Sequence, residues 1–189
     1  LRDGGMNSEK SAHYAGIIHD EAIRLTRLLD DLLDLSVLEN GQVVLNRQTG
    51  DLRMVLDRSL AAVGLDAHTP TPIGLSVVRR PAEEAVTLHS DLDRLSQVFI
   101  NIIRNAQKYC DAPAPELRIF ARRTGSMMLV DFIDNGRGIP KEHQHLIFEK
   151  FARLGDQSRA GGAGLGLAIC REIMHRLGGD ISYLPGQGG

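Results

Sequence analysis

The stretch from Leu92 to Tyr109 constrains the fold more than any other, because one helical repeat carries two faces of opposite character. Leu95, Phe99, Ile102 and Ala106 share one side and require an apolar partner. Gln97, Asn101, Asn105 and Lys108 follow at steps of four, four and three and share another side. A helix of this kind seals a sheet with its first face and borders a cavity with its second. Asp91, immediately before it, is placed to cap its amino end.

The remaining elements arrange themselves around that helix. From about Ser8 to Glu39, Ile18, Ala22, Leu25, Leu29, Leu32 and Ser36 form an apolar stripe, widened by Leu28, Leu33 and Leu35, which predicts a long amphipathic helix ending at Asn40-Gly41. The stripe has no partner in the first seven residues, so it is expected to pack on a helix from another chain or from an upstream segment. Beyond it the pattern predicts strands at 43–47, 73–78, 86–89, 116–123, 127–133 and 180–184. Helices are predicted at 51–63, capped by Asp51, and at 92–109, 142–151 and 165–177. Thr124-Gly125-Ser126 sits in hairpin position. The expected fold is α/β (α+β): a two-layer α/β sandwich in which helices cover one face of a mixed sheet.

Two glycine-rich segments flank the polar helix face with chemistry of their own. Asp134-Asn135-Gly136-Arg137-Gly138-Ile139-Pro140 follows an apolar strand, where α/β sheets place ligand-binding residues. The ionised Asp134 is a pure acceptor, suited to the exocyclic amine of adenine and repelled by the carbonyl of guanine. Alone, Asp-Asn-Gly is a turn sequence, but a turn does not need Gly138 as well. Gly161-Gly162-Ala163-Gly164-Leu165-Gly166-Leu167 opens a helix whose first N–H groups attract phosphate. The amide oxygens on the polar helix face are hard neutral ligands of the kind magnesium takes, and Lys108 offers phosphate a point charge. Together these features point to Mg-ATP. Phe148-Glu149-Lys150-Phe151 precedes small and charged residues that read as a flap, with the two phenylalanines anchoring it in the core.

Several classes of function are disfavoured. The formal charge of −2, with Lys and Arg scattered, leaves no footprint for nucleic acid. Cys110 and Cys170 lack metal-ligand spacing and read as free thiols. No apolar run is long enough to span a bilayer, so this portion is expected to be cytoplasmic even if missing segments anchor the intact protein. His19-Asp20-Glu21 sets an acid after an imidazole, yet no Arg or Pro follows at short range, so His19 reads as a helix-surface residue.

As a set these residues resemble the sensor histidine kinases of two-component signalling, within the ATPases that share the Bergerat fold. Asn101 to Tyr109 looks like the N box, Asp134 to Pro140 the G1 box, Phe148 to Phe151 the F box and Gly162 to Ile169 the G2 box. Asp31 to Gly41 is similar to the end of the second helix of the dimerisation and histidine-phosphotransfer domain. The resemblance implies a partial dimerisation domain at 1–41 and a catalytic ATP-binding domain at 42–189. It implies Asn105 as the magnesium ligand with Asn101 nearby, Lys108 and Tyr109 toward phosphate or lid, and Asp134 on adenine. Gly136, Gly138, Ile139, Gly162, Gly164, Leu165 and Gly166 would shape the pocket, and Arg153 would touch phosphate from the lid. Asn105 and Lys108 would serve catalysis. It further implies a homodimer through the N-terminal helix and a response-regulator receiver domain as partner.

Two departures accompany the resemblance. The histidine box is absent, so the acceptor histidine is expected upstream of Leu1, and the chain stops at Gly189 where relatives continue into another strand. One rival is a hydrolysing Bergerat ATPase, but that reading needs a glutamate on the N-box helix, and none lies between Leu95 and Tyr109. The other is a phosphotransfer or scaffold protein with a decayed pocket, which would have lost the aspartate or the glycines retained here.

Overall fold

The computed structural model describes residues 3–41, 43–65, 75–80, 83, 85–152 and 163–186, with side chains from residue 10 onward. Helix α1 spans Asp3–Glu39, beginning five residues before the expected Ser8. Its apolar residues divide between two faces, since neighbouring helical positions point about 100° apart. Leu35 and Leu38 are buried, with Leu28 and Leu32 packed beside them on the core. Ile18, Leu25, Leu29 and Leu33 stay exposed, so the inner seam is flanked by an apolar stripe facing outward.

The expected strand at 43–47 is irregular backbone, and β1 follows it at Gln48–Asp51. The displacement has a cause: the Asn46 N–H donates to the Asp91 carboxylate at 3.0 Å rather than to a ladder, and Val44 points into solvent. Helix α2 (Leu52–Ala61) starts where Asp51 Oδ1 accepts the Arg53 N–H at 2.8 Å. Strand β2 covers Ser76–Arg79, with Ile73 and Gly74 of the expected strand outside the described residues. Strand β3 (Thr87–Ser90) pairs antiparallel with β1. Helix α3 runs Leu92–Tyr109, as its two-faced pattern predicts, capped by Asp91 Oδ1 on the Arg94 N–H at 3.0 Å.

Strands β4 (Glu116–Thr124) and β5 (Met127–Asp134) form the hairpin around Gly125-Ser126, and β2 joins β4 in parallel. The described strands thus form a mixed three-stranded sheet and a separate two-stranded one. Leu117, Ile119 and Ala121 of β4 face the core, joined by Val77, Val130 and Phe132 from the neighbouring strands. Phe99 seats α3 on this face, its ring centroid 5.2 Å from that of Phe132. Helix α2 closes on α3 through small residues, the buried Ser59 and Ser96 hydroxyls lying 2.9 Å apart.

Two further expectations are corrected. The predicted helix at 142–151 is a 3-10 turn at Lys141–His143 followed by further turns, with bonds of the i to i+3 kind at Leu146, Glu149 and Ala152. Phe151, at φ 62°, ends that run. The predicted strand at 180–184 is not a strand: Ile181 packs on the core, and the Tyr183 hydroxyl instead accepts the Ile139 N–H at 3.1 Å. Helix α4 (Gly166–Leu177) packs between α1 and α3. Among the described residues, no helix is long and apolar enough to cross a membrane.

Candidate functional site

Helix α3 presents Asn101 and Asn105 half-buried and Lys108 and Tyr109 exposed, on the side opposite its seam with the sheet. The Lys108 ammonium lies 4.7 Å from the centre of the Tyr109 ring, so the cation is steered by a π face. The Asn105 amide makes no hydrogen bond among the described residues, which leaves its oxygen available as a hard donor of the kind magnesium takes. Gln97 does not join this group. Its amide donates to Asp34 of α1 at 2.6 Å, beside Arg94, whose guanidinium meets the same carboxylate at 2.9 Å.

The first glycine segment closes onto the carboxyl end of α3. Strand β5 delivers Asp134 to the rim, where one carboxylate oxygen accepts the Gly136 N–H at 2.9 Å. The turn and the acceptor are therefore one structure, because the bond occupies only one of the two oxygens. A Cβ at Gly136 would lie 2.8 Å from that oxygen and 3.3 Å from the Cys110 Cα, so the close approach requires glycine. Asn135, which the sequence reading passed over, fastens the loop: its Oδ1 accepts the Glu116 N–H at 2.8 Å and the Cys110 thiol at 3.2 Å, while its Nδ2 donates to Ala114 O at 2.9 Å. Its signal was present in the Asn-Gly pair, whose side chain commonly bonds nearby backbone. Gly138 and Ile139 stand against Tyr183.

The second glycine segment meets α3 near its middle. Gly166, at the start of α4, lies against the Asn101 amide, whose atoms would be 3.8–3.9 Å from a Cβ there. The buried Cys170 thiol donates to the Val98 carbonyl at 3.8 Å, and burial pushes it up to about 12, with the nearby Asn101 amide acting in the opposite sense. Leu165 is buried beneath this junction. Gly164 has φ +71°, and the Phe151 N–H donates to its carbonyl at 3.0 Å, joining the segment before the flap to the one after it. Phe151 is itself 57% exposed, so the expectation that both phenylalanines anchor the flap in the core fails for this one. Phe148 lies under the Arg171 guanidinium at 5.9 Å. Arg153, Gly161 and Gly162 lie outside the described residues.

One helix thus has a glycine loop at its carboxyl end, by Cys110, and another at its middle, by Asn101. The nine intervening steps span about 13 Å of helix, with Asn105 and Lys108 between. The acids at the start of α3 are otherwise engaged: the cap Asp91 holds Arg94 N and Asn46 N, and Asp93 in the first turn pairs with Arg58 at 2.8 Å.

Residues 90–189 match the family model of histidine kinase-, DNA gyrase B- and HSP90-like ATPases. The chain belongs to this family. Within this ATPase family its similar proteins are sensor histidine kinases. Sensor protein KdpD of Escherichia coli is 36% identical over 94% of this chain and 19% of its own length. Sensor protein kinase WalK of Staphylococcus aureus is 30% identical over all of this chain and 46% of its own length. The chain therefore spans less than half of these curated relatives. Among solved structures, Acinetobacter baumannii histidine kinase AdeS is 27% identical with a TM-score of 0.69, covering 91% of this chain and 77% of that one. The mixed α/β fold of this ATPase family member agrees with that of its histidine kinase neighbours.

Proposed function

We propose that this chain is the ATP-binding and catalytic portion of a sensor histidine kinase, comprising a partial dimerisation domain at 1–41 and a catalytic domain at 42–189. The observation that carries the reading is the convergence of both glycine loops on the Asn101–Lys108 face of α3, with Asp134 at the rim of one loop and the amino end of α4 beside the other. Asp134 selects adenine through its acceptor oxygens. Asn101, Gly164, Leu165 and Gly166 frame the phosphates, Gly136, Gly138 and Ile139 shape the purine end, and Tyr109 faces phosphate or flap; a phosphate contact is assigned to Arg153 and a nucleotide contact to Gly162. Lys108 opposes charge on the transferring group, and Asn105 holds magnesium through its amide oxygen. Bound there, the ion neutralises charge on the phosphate oxygens.

In the whole protein, the γ-phosphoryl passes to a histidine nitrogen outside this sequence and then to an aspartate on a response-regulator receiver domain. The exposed stripe of α1 joins two copies. Catalysis of this kind is positioning and charge neutralisation, which suits a site with no acid on α3 beyond its capping turn. The hydrolytic alternative needs a carboxylate free to activate water, whereas Asp91 and Asp93 already serve a cap and an ion pair.

Titration calorimetry with ATP, GTP and magnesium tests the reading. ATP should bind in the micromolar to submillimolar range, on the order of 5–8 kcal/mol, with GTP strongly disfavoured. Asp134→Asn and Asn105→Asp should each weaken ATP binding. Equal affinity for GTP removes the role given to Asp134.

A further inference from the structure

A cavity of about 480 Å³ lies between α1, α2 and α3, lined among others by Asp31, Ser96, Gln97, Asn101 and Arg104. Arg104 follows Asn101 by three residues and precedes Lys108 by four, which sets it on the same face of α3 as the amides. It is exposed, and among the described residues it takes part in no hydrogen bond or ion pair. What it does meet is the field of an acidic stretch of α1, where its charge attracts the Asp31 carboxylate. Asp34, one turn along, is already held by Arg94 and Gln97.

The orientation of the site indicates what else Arg104 is for. Asp134 and Gly136 mark the carboxyl end of α3 as the purine end, so phosphates run back along the helix past Lys108 toward Asn101 and the amino end of α4. Arg104 lines the same cavity as Asn101, six residues before Cys110, or about 9 Å along the axis. A guanidinium there has the planar fork that suits phosphate oxygens.

We propose that Arg104 binds the terminal phosphate of the nucleotide and that Asp31 of α1 competes with that phosphate for it. The docked α1 then lowers ATP affinity by attracting a phosphate ligand across the cavity that Asp31 and Arg104 both line, without entering the purine pocket. This inference rests on the nucleotide site described above, so its test includes Asp134→Asn as a separate arm.

The experiment measures ATP and ADP affinity for the full chain and for Arg104→Ala, Arg104→Lys, Asp31→Asn and the double variant Arg104→Ala/Asp31→Asn. Arg104→Ala should weaken ATP about ten-fold and leave ADP unchanged, with Arg104→Lys intermediate. Asp31→Asn should tighten ATP several-fold in the parent and have no effect when Arg104 is alanine, since the competition then has no object. Equal loss of ATP and ADP in Arg104→Ala marks a structural role and overturns the proposal, as does an Asp31→Asn gain that survives in the double variant. If Asp134→Asn weakens ATP while Arg104→Ala does not, Arg104 fails alone and the site stands; a parent chain that binds no ATP overturns both.

Discussion

Gly164 carries a steric demand that no side chain satisfies. With φ at +71°, a Cβ would sit 2.7 Å from the Ala152 carbonyl oxygen and 2.9 Å from the Phe151 carbonyl carbon, both backbone atoms that cannot swing aside. Gly164→Ala should therefore destabilise by about 1–3 kcal/mol in urea titration and weaken ATP binding, because the same residue ties the two sides of the flap. The two thiols offer a second check. Cys170 is buried and its thiol, pushed up to about 12, stays protonated at neutral pH, whereas Cys110 is half-buried at the end of α3. A thiol reagent should label Cys110 in the native chain and reach Cys170 only on unfolding. At this scale the sequence made legible the residues whose type carries the chemistry, Asp134 and the glycines above all. It did not reveal Asn135 as the loop's fastener, nor Gln97 as a partner of Asp34, because both depend on which distant backbone or carboxylate comes near.

Helix α1 is both an element of the core and a surface with a free apolar side. Leu38 is fully buried, so Leu38→Ala should cost about 2–5 kcal/mol in denaturant unfolding. Leu29 is 60% exposed; Leu29→Ser should leave that midpoint nearly unchanged while reducing self-association in light scattering, in keeping with the proposed dimer. Elements with strong local signals were readable in advance: α3 with its cap, the β4–β5 hairpin, and α2 behind Asp51. The failures share a physical cause. Residues 43–47 alternate like a strand, yet their backbone is claimed by Asp91, and residues 142–151 look helical while repeated i to i+3 bonds and the positive φ of Phe151 hold them as turns. In each case a tertiary partner or a single backbone angle overrides a local preference.

Across the whole molecule, the seam between α1 and the rest of the chain couples stability to pH. Burial, then the nearby Asp34 and Asp30, raise the Asp31 carboxyl above its ordinary 3.8, against the pull of Arg104. The folded chain thus holds this proton to higher pH than the unfolded chain does, and stability falls as pH rises through that window. Asp31→Asn should raise the thermal midpoint at pH 7 and leave it unchanged near pH 3, where the wild-type carboxyl is already protonated in both states. The seam is polar as well as apolar: Arg176 of α4 donates to the Leu38 carbonyl at 2.5 Å and the Glu39 carbonyl at 3.3 Å, and Lys150 pairs with Glu39.

Helix α4 makes that capping contact in its last turn, while its first residue abuts Asn101. Ten residues, about 15 Å, separate Gly166 from Arg176, and a rod of that length bends little over so few turns. The helix therefore ties the α1 seam rigidly to the Asn101 junction, with the buried Ile169 and Ile173 holding it between the two.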